Sequence, residues 1–555
     1  MKQEKDVTND RSNLMKEIKE NGLKIIIFFL VGFILFESFS NIFVPKRFSY
    51  NKVYDAGKFK GYEREKSNDI DVLICGTSHA SHGILPMELY EKYGIRSYNL
   101  GTSWQPIEAT YYMLLEALHK QNPKIIIIDV SALYLTDYNE AAWNFVLDDL
   151  PFGGNKFKLE ECMRHTDQEN MHEGLIPFLK YHDRWKELKE EDFRDMLHIS
   201  RHDYNKGGHI SSITVKSNLS VEVMNAIADE LQQNIEISEW EYKEGKDYKV
   251  PSKEMPYAVD VTEEKIEWLQ KIKELCDEKN IQCLLVKVPV LAWPQLYSSA
   301  WSEAKYHTVK EISDKYDIVY YDFLYEAGLN LDYDRDSHDG GMHLNLSGAQ
   351  KVSENLGKYL KEHYELPDER NEQWDRDLII YKDVRNVAQL QLEQDFSKYI
   401  DFLSNNYKDK TILITASLDY MGLKDYGETL RKLGIKADFN SQFHDAYVAV
   451  VEGGVVKYEA LSGDKLSYEG VCDISREKYR LYSSGWRTSA GATITIANRE
   501  LANSFRGLNI VVYDNRKNLV LDSVCYDEQN NAIRNGDLID SFMEGYERYM
   551  VEMED

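Results

Sequence analysis

Four consecutive isoleucines, Ile125 to Ile128, most limit how this chain can fold. They stand between Lys124 and Asp129, so the apolar run has the length of a strand and is too short for an ordinary helix. A strand that is apolar on both faces is typical of a parallel sheet covered by helices. The run therefore predicts a central buried strand in an α/β domain.

Short apolar runs and segments of helical spacing alternate on both sides of this strand. Further strands are predicted at 71–76, 96–101, 281–288 and 318–323, and helices at 86–93, 107–119, 262–278 and 349–359. The alternation predicts a parallel sheet, and ligands of such sheets bind beyond the carboxyl ends of the strands. The interval from about 141 to 261 is charged and aromatic. It is interpreted as a largely helical insertion, serving either as a lid over the site or as a peripheral decoration.

The N-terminal region combines a polar leader, residues 1–22, with an apolar stretch, residues 23–44. About 20 apolar residues cross a bilayer, so residues 23–44 are predicted to form a membrane anchor with Glu37 near the outer interface. Basic residues in the leader favour a cytoplasmic N-terminus, which places the bulk of the chain outside the cytoplasm. A signal peptide cleaved after the weak small-x-small site Ser38–Ser40 is the alternative. Residues 45–66 are interpreted as a linker.

The formal net charge of −27 argues against nucleic acid as a partner, because an acidic surface repels phosphate backbones. The six cysteines show no Cys-x-x-Cys spacing and no clustering. They therefore indicate neither a zinc site nor a disulfide framework. No cofactor is expected.

Ser78 directly follows the first predicted strand, within the sequence Gly76-Thr-Ser-His79. A serine hydroxyl becomes a nucleophile when a base takes its proton, and a strand-end turn presents it at the edge of the sheet. The alternative is a turn or helix-cap serine. The Gly-x-Ser-x-Gly elbow of α/β-hydrolases is absent, since position 80 is alanine.

His343 lies just before the last predicted helix of the domain, where it would point back toward the same strand ends. An acidic residue one turn earlier would orient the imidazole, and Asp339 is the first choice with Asp336 as the fallback. A surface-loop histidine is the alternative. A metal site formed by Asp336, His338, Asp339 and His343 is also conceivable, but no matching ligands occur elsewhere, and no metal is assigned.

These segments together resemble the SGNH/GDSL hydrolase superfamily, in particular its membrane-anchored branch linked to modification of cell-envelope polysaccharides. Residues 73–78 are similar to the nucleophile block, residues 98–101 to the second block, and residues 339–345 to the final block. The resemblance covers residues 67–365 apart from the insertion. It implies a flavodoxin-like parallel sheet, with Ser78 as nucleophile, His343 as base, Asp339 as acid, and the amides of Ser78 and Gly101 in the oxyanion hole.

The sequence departs from the family pattern at two places. Three residues instead of two separate Asp339 from His343, which leaves Asp336 open as the acid. The third block lacks its oxyanion-hole asparagine, because the strand runs into Asp129-Val-Ser131. The loss of one such donor costs about 100- to 1000-fold in rate, so either another group replaces it or the protein is a weak or inactive descendant.

Three neighbouring residues are candidates for the missing donor: Ser131, Trp104 and Gln105. Trp104 and Gln105, together with His79, are also predicted to contact the substrate. For His79 and His82, which flank the nucleophile, the alternative is an ordinary exposed loop position.

The C-terminal region begins with a polar stretch, residues 366–384, interpreted as a linker. Residues 385–530 resemble the interleukin-like EMT inducer domain on Ile412–Ile414, Asp419, Gly434, Arg506–Asp514 and Tyr526–Asp527. Members of that family are noncatalytic recognition modules, and some of their relatives bind sugar. The resemblance implies a second, smaller α/β domain that binds glycan or protein; a domain that only supports the first is the alternative. Residues 531–555 form an acidic tail.

These expectations combine into a membrane-anchored, extracytoplasmic serine O-acyl esterase or O-acetyltransferase that acts on cell-surface polysaccharide. Transfer would need an acyl donor outside the cell, and hence a multispanning membrane protein as partner. A catalytically degenerate, glycan-binding scaffold in polysaccharide assembly is the second hypothesis. A lipid esterase is the third, since no long apolar lid segment is evident.

Overall fold

The structure is a computed structural model that describes most of two folded regions and part of the N-terminal segment. The described residues are 21–44 except 23, 37 and 41, 57–135, 140–150, 177–188, 192–193, 203–214, 261–290, 308–323, 329, 331–332, 335–417, 424–439, 446–485, 488, 491–527, 529 and 531–534. Most of the predicted insertion and of the acidic tail lies outside them.

A parallel sheet of five strands forms the centre of the first region, which confirms the predicted α/β class. The strands are β1 (Val72–Cys75), β2 (Ser97–Asn99), β3 (Ile125–Asp129), β4 (Gln282–Lys287) and β5 (Val319–Asp322). Their order is β2-β1-β3-β4-β5, all parallel. This is the flavodoxin-like order, in which ligands bind where the chain reverses direction between β1 and β3. The four isoleucines of β3 are at most 1% exposed.

Helices surround this sheet, as the alternating sequence pattern predicts. They are α1 (Lys58–Arg64), α2 (Ser78–Gly83), α3 (Pro86–Tyr93), α4 (Ile107–Ala117), α5 (Glu140–Leu147), α6 (Pro177–Lys180), α7 (Glu263–Glu278) and α8 (Leu346–His363). Side-chain caps fix two of the starts, since Thr262 accepts a hydrogen bond from the Lys265 amide and Asn345 accepts one from the Gly348 amide. Helix α3 packs against α8, and α4 packs against α7.

The N-terminal apolar segment contains helical residues 24–36, and their large apolar side chains are exposed, from Ile25 to Phe36. Within the described residues, no helix combines the length and apolar character needed to cross a membrane. The spanning helix predicted over residues 23–44 is therefore not found there.

A helix of 21 residues, α9 (Glu372–Leu392), occupies the region that the sequence analysis assigns to a linker at 366–384. Its Trp374 side chain is fully buried, and Nε1 donates a hydrogen bond to Asp69 Oδ2 at 3.0 Å. The helix contacts both α3 and α8 of the first region. This segment is thus part of a packed core.

The C-terminal region contains two antiparallel sheets in its described part. Its helices are α10 (Phe396–Asn406) and α11 (Lys424–Leu430). Its strands are β6 (Thr411–Ser417), β7 (Ala446–Glu452), β8 (Val455–Ser462), β9 (Leu466–Val471), β10 (Lys478–Ser484), β11 (Gly491–Ile496), β12 (Arg499–Glu500), β13 (Gly507–Asp514), β14 (Leu519–Tyr526) and β15 (Ala532–Ile533). The six-stranded sheet has the order β15-β14-β13-β6-β7-β8, and the four-stranded sheet has the order β12-β11-β10-β9.

The two C-terminal sheets face each other through a shared apolar core that includes Leu413, Val448, Leu481 and Ile494. Strands β13 and β14 form the hairpin that the sequence predicts. Helix α9 contacts β14, and Gln391 Nε2 donates a hydrogen bond to the Leu521 carbonyl at 2.7 Å. One helix therefore packs against both regions of the chain.

Candidate active site

Ser78 is the first residue of α2 and follows β1 after a turn of two residues. Gly76 adopts a φ of 138°, and a Cβ at that position would lie 2.6 Å from Asp129 Cβ, so glycine is required for this turn. Thr77 caps the helix: its side chain accepts a hydrogen bond from the His79 amide and donates one to Asp129 Oδ2 at 2.8 Å. These contacts hold the serine at the carboxyl end of the sheet.

The imidazole of His343 connects the nucleophile candidate to an acid. Its Nε2 atom lies 2.7 Å from Ser78 Oγ, and its Nδ1 atom lies 2.5 Å from Asp339 Oδ2. The other oxygen of Asp339 accepts a hydrogen bond from the His343 amide at 2.8 Å. The structure thus brings together the three residues that the sequence analysis selects, in the order serine, histidine, aspartate.

The loop between acid and base accommodates the extra residue of this sequence. Gly340 and Gly341 have φ values of 81° and 108°, in the left-handed region that favours glycine. The Gly341 amide donates to Ser337 Oγ at 2.6 Å, and Ser337 pairs with Leu344 in an isolated bridge. The loop folds back on itself, so a spacing of three residues still places Asp339 against the ring.

Asp336, the fallback acid, lies elsewhere. It is buried, and its Oδ2 atom accepts hydrogen bonds from Lys351 Nζ and from the Asp332 amide, both at 2.7 Å. Among the described residues, the partners of this oxygen do not include His343. Its contacts are those of a residue that fixes the loop before α8, and they do not support it as the acid.

The pKa of Asp339 reflects its partner. Burial by itself raises this pKa, but the hydrogen bond and the charge of His343 outweigh burial and hold the pKa below its usual range. The carboxylate therefore stays ionised, as is needed to stabilise an imidazolium.

The Gly101 amide, predicted as an oxyanion donor, is already engaged. It donates a hydrogen bond to Asn99 Oδ1 at 3.0 Å, and the Gly101 carbonyl accepts one from Lys58 Nζ at 2.5 Å. An amide that donates inside the fold is not available for a developing oxyanion, so the structure does not support this predicted role. By contrast, the Ser78 amide begins α2, and no acceptor in the described part of the chain bonds to it.

Ser131 is one of the three residues considered as an oxyanion donor, and its hydroxyl makes three polar contacts. Its hydroxyl donates its single proton to Asp129 Oδ1 at 3.1 Å. It accepts from Lys287 Nζ at 2.8 Å and, at 3.0 Å, from His79 Nδ1. Because its proton is already donated to Asp129, the Ser131 hydroxyl is poorly suited to donate to an oxyanion.

Lys287 is the residue that sequence reasoning missed. It ends β4, the neighbour of β3, and one N–H of its ammonium points to Ser131, which leaves two more. No carboxylate of the described residues lies within salt-bridge distance of Nζ. The only sequence signal was its position at the carboxyl end of a predicted strand.

Gln105 and Trp104, the other two predicted substrate contacts, differ in their exposure to solvent. Gln105 is fully buried and bonds to the hydroxyls of Thr102 and Thr110, so its amide is a structural element and not a substrate contact. Trp104 is 61% exposed and has a positive φ of 54°. Its ring is available to a ligand from solvent.

Histidine rings crowd the site. His82 lies 4.8 Å from His343, 5.1 Å from His338 and 4.2 Å from His209, measured between ring centroids. His79 is half-buried and lies 5.3 Å from His343. Burial and the neighbouring imidazoles hold the pKa of His82 well below its usual range. The cluster contrasts with the exposed-loop alternative for His79 and His82.

No family model matches the chain, and no curated protein matches it. Sixteen chains of solved structures match it, among them the following two. A candidate acylhydrolase from Bacteroides fragilis has 9% sequence identity and a TM-score of 0.25, and covers 55% of this chain and 93% of its own. A candidate GDSL-like lipase from Parabacteroides merdae has 12% identity and a TM-score of 0.21, and covers 53% of this chain and 96% of its own. The matched span is about half of this chain and nearly all of each relative.

Proposed function

We propose that this protein is an SGNH-type serine O-acyl esterase or O-acyltransferase. The observation that carries the proposal is the 2.7 Å contact between Ser78 Oγ and His343 Nε2, with Asp339 on the far side of the imidazole. A nucleophile bonded to a base, and a base bonded to an acid, form the constellation that activates serine for acyl transfer.

The reaction follows from these contacts. Ser78 Oγ attacks the acyl carbonyl while His343 Nε2 accepts its proton, and Asp339 stabilises the resulting imidazolium through Nδ1–H. The tetrahedral intermediate then expels the alcohol, which takes the proton from Nε2, and an acyl-serine remains. Water completes hydrolysis, or a sugar hydroxyl completes transfer, after the same base has removed its proton.

The oxyanion of the intermediate needs donors at the same strand ends. We assign the Ser78 amide as the first donor, because it begins α2 and makes no bond within the helix. We assign the Lys287 ammonium as the second donor. It donates one hydrogen bond to Ser131, the residue at the third-block position, and keeps two N–H groups for the oxyanion. A cation placed there would take over the role of the absent asparagine.

Polysaccharide is the proposed substrate. The exposed ring of Trp104, three residues after Gly101, is suited to stack on a sugar face. The C-terminal region, with its resemblance to a recognition module, would hold the same glycan. Transfer in place of hydrolysis would require a multispanning membrane protein to deliver the acyl group.

Membrane attachment with the bulk of the chain outside the cytoplasm is a further part of the proposal. The exposed apolar side chains between Ile25 and Phe36 support it, because a surface of that size is unfavourable in water. Carbonate extraction of membranes from cells that express the full chain or a variant lacking residues 1–44 tests it. Release of both proteins into the soluble fraction would contradict attachment through this segment.

The catalytic proposal is tested with p-nitrophenyl acetate and an active-site fluorophosphonate probe. Ser78→Ala and His343→Ala should each lower hydrolysis by about 1,000-fold or more, and Ser78→Ala should lose labelling. Ser404→Ala, on α10 of the C-terminal region, is the matched control and should behave as the parent. Equal hydrolysis and labelling in all four proteins would sink the proposal.

A glycan-binding scaffold is the second candidate. The engaged Gly101 amide and the absent third-block asparagine favour it, because both reduce oxyanion stabilisation. Acetate release from a panel of O-acetylated polysaccharides separates the two. Binding of a polysaccharide without acetate release and without labelling at Ser78 would favour the scaffold.

A further inference from the structure

Three potential metal ligands converge on the loop before α8. One nitrogen each of His338 and His343 and one carboxylate oxygen of Asp339 all lie within 4.8 Å of one another. Asp339 Oδ2 is 3.8 Å from His338 Nε2 and 2.5 Å from His343 Nδ1. Two imidazoles and a carboxylate are the donor set of zinc sites that keep an open position for water.

His338 is oriented like a metal ligand. Its Nδ1 atom lies 3.5 Å from the Leu344 carbonyl, and its amide donates to the His343 carbonyl at 3.2 Å. A carbonyl only accepts, so Nδ1 carries the proton and the lone pair of Nε2 faces the Asp339 carboxylate. Histidines that bind metals usually donate their second N–H to such a partner, and two facing acceptors favour a cation between them.

The spacing and the exposure of the three side chains also fit an ion. Ligands at about 2.0–2.2 Å from a tetrahedral zinc are about 3.3 Å apart, so movements of under about 1 Å would complete the site. The side chains are 20%, 33% and 23% exposed for His338, Asp339 and His343, respectively. An ion can therefore enter from solvent and keep water as its fourth ligand.

Asp336 does not belong to this set, although the sequence places it nearby. Its Oδ2 atom accepts hydrogen bonds from Lys351 and from the Asp332 amide, and its side chain is buried. Of the four potential metal ligands that the sequence offers in this segment, three therefore remain.

We propose that His338, Asp339 and His343 bind one Zn²⁺ ion, and that the bound ion inhibits the protein. The ion would bind the Nδ1 lone pair of His343 and the Oδ2 atom of Asp339. The one proton of the neutral imidazole would then move from Nδ1 to Nε2, so Nε2 would have no lone pair to accept the Ser78 proton. The inhibitory step rests on the proposed function, whereas binding does not.

Metal binding is measured first, on the full purified chain, by calorimetric titration with Zn²⁺ and by visible absorption with Co²⁺. The parent should bind one ion per chain and give the intense absorption of tetrahedral Co²⁺. His338→Ala and His338→Asn should weaken Zn²⁺ binding at least about 10-fold, and the second variant keeps a side-chain N–H for the Leu344 carbonyl. His119→Ala, at a histidine with a 77% exposed side chain, is the control and should bind as the parent does. Equal affinity in all four proteins, or no Co²⁺ absorption, overturns the site.

Inhibition is measured as the ratio of p-nitrophenyl acetate hydrolysis rates with and without Zn²⁺. In the parent, the rate with Zn²⁺ should be at most about one tenth of the rate without it, and EDTA should restore the rate. In the His338 variants, the two rates should be nearly equal. Zinc that binds without changing the ratio in the parent would overturn the inhibitory step. If Ser78→Ala hydrolyses as fast as the parent, the proposed function fails while the calorimetric result for the metal site still stands.

Discussion

The ammonium of Lys287 donates a hydrogen bond to the hydroxyl of Ser131 at 2.8 Å, across the carboxyl ends of the neighbouring strands β4 and β3. The hydroxyl donates its own proton to Asp129, so the free donors at this position belong to the lysine. In the proposed mechanism, the second oxyanion donor would therefore come from β4, the strand next to β3.

Lys287→Met should therefore lower kcat by about 100- to 1000-fold with little change in KM, because only the oxyanion formed during reaction loses a partner. Steady-state hydrolysis of p-nitrophenyl acetate measures both constants. Lys310→Met is the control, since Lys310 forms a surface pair with Asp314. A kcat within about threefold of the parent would remove Lys287 from the oxyanion hole.

The two acidic residues of the loop should respond differently to the same substitution. Asp339→Asn should lower kcat by about 100- to 10,000-fold at an unchanged melting temperature, because the amide cannot stabilise an imidazolium. Asp336→Asn should instead lower the melting temperature, because it weakens the pairing of a buried carboxylate with Lys351, and leave kcat within a few-fold. Steady-state kinetics and thermal unfolding of both variants test this difference. A large loss of kcat in Asp336→Asn, with little loss in Asp339→Asn, would make Asp336 the acid.

The central sheet could be predicted from local patterns, whereas the serine–histidine–aspartate order also depended on the resemblance to a known family. The run from Ile125 to Ile128 is apolar on both faces and so indicates a buried strand. Ser78 and His343 follow or precede elements whose ends meet at one sheet edge, and Asp339 lies one turn from His343. The chain order and the geometry of a parallel sheet made these residues candidates, and the resemblance to the SGNH/GDSL hydrolases implied their roles.

Contacts that depend on tertiary packing could not be predicted. The Gly101 amide is engaged because the Asn99 side chain folds back on it, which the sequence alone does not specify. Helix α9 has polar residues on its buried face: Asp377 pairs with the buried Lys206, and Gln391 bonds to β14. A buried polar face weakens apolar periodicity, so the segment resembles a linker in sequence.

The ion pair between Asp514 and Lys410 should make the C-terminal region sensitive to acid. Burial alone raises the pKa of Asp514, but the hydrogen bond and charge of Lys410, at 2.8 Å, outweigh burial and hold the pKa below its usual range. A carboxyl with a lowered folded-state pKa stabilises the fold fully above its unfolded pKa of about 3.9 and loses that contribution as the pH falls through the folded value.

Asp514→Asn should consequently lower the melting temperature at pH 6, and the difference from the parent should shrink below about pH 4. Thermal unfolding between pH 3 and pH 6 measures it. Asp473→Asn, at an exposed pair with Lys457, should show no such trend. A difference that stays constant across this range would show that the charge of Asp514 is not the stabilising element.

Trp374 and Ile379 offer a direct test of α9 as part of the core. Trp374 is fully buried, lies 5.2 Å from the Tyr90 ring and donates to Asp69, whereas Ile379 is 69% exposed on the same helix. Trp374→Ala should lower the free energy of unfolding by about 3–5 kcal/mol, because it leaves a cavity and removes one hydrogen bond to the buried Asp69 carboxylate. Ile379→Ala should change it by less than about 0.5 kcal/mol. Urea unfolding followed by circular dichroism measures both.

If Trp374→Ala does not fold, Trp374→Phe isolates the lost hydrogen bond, at about 1–3 kcal/mol. Equal, small changes in the free energy of unfolding at both positions would indicate that the segment is a linker.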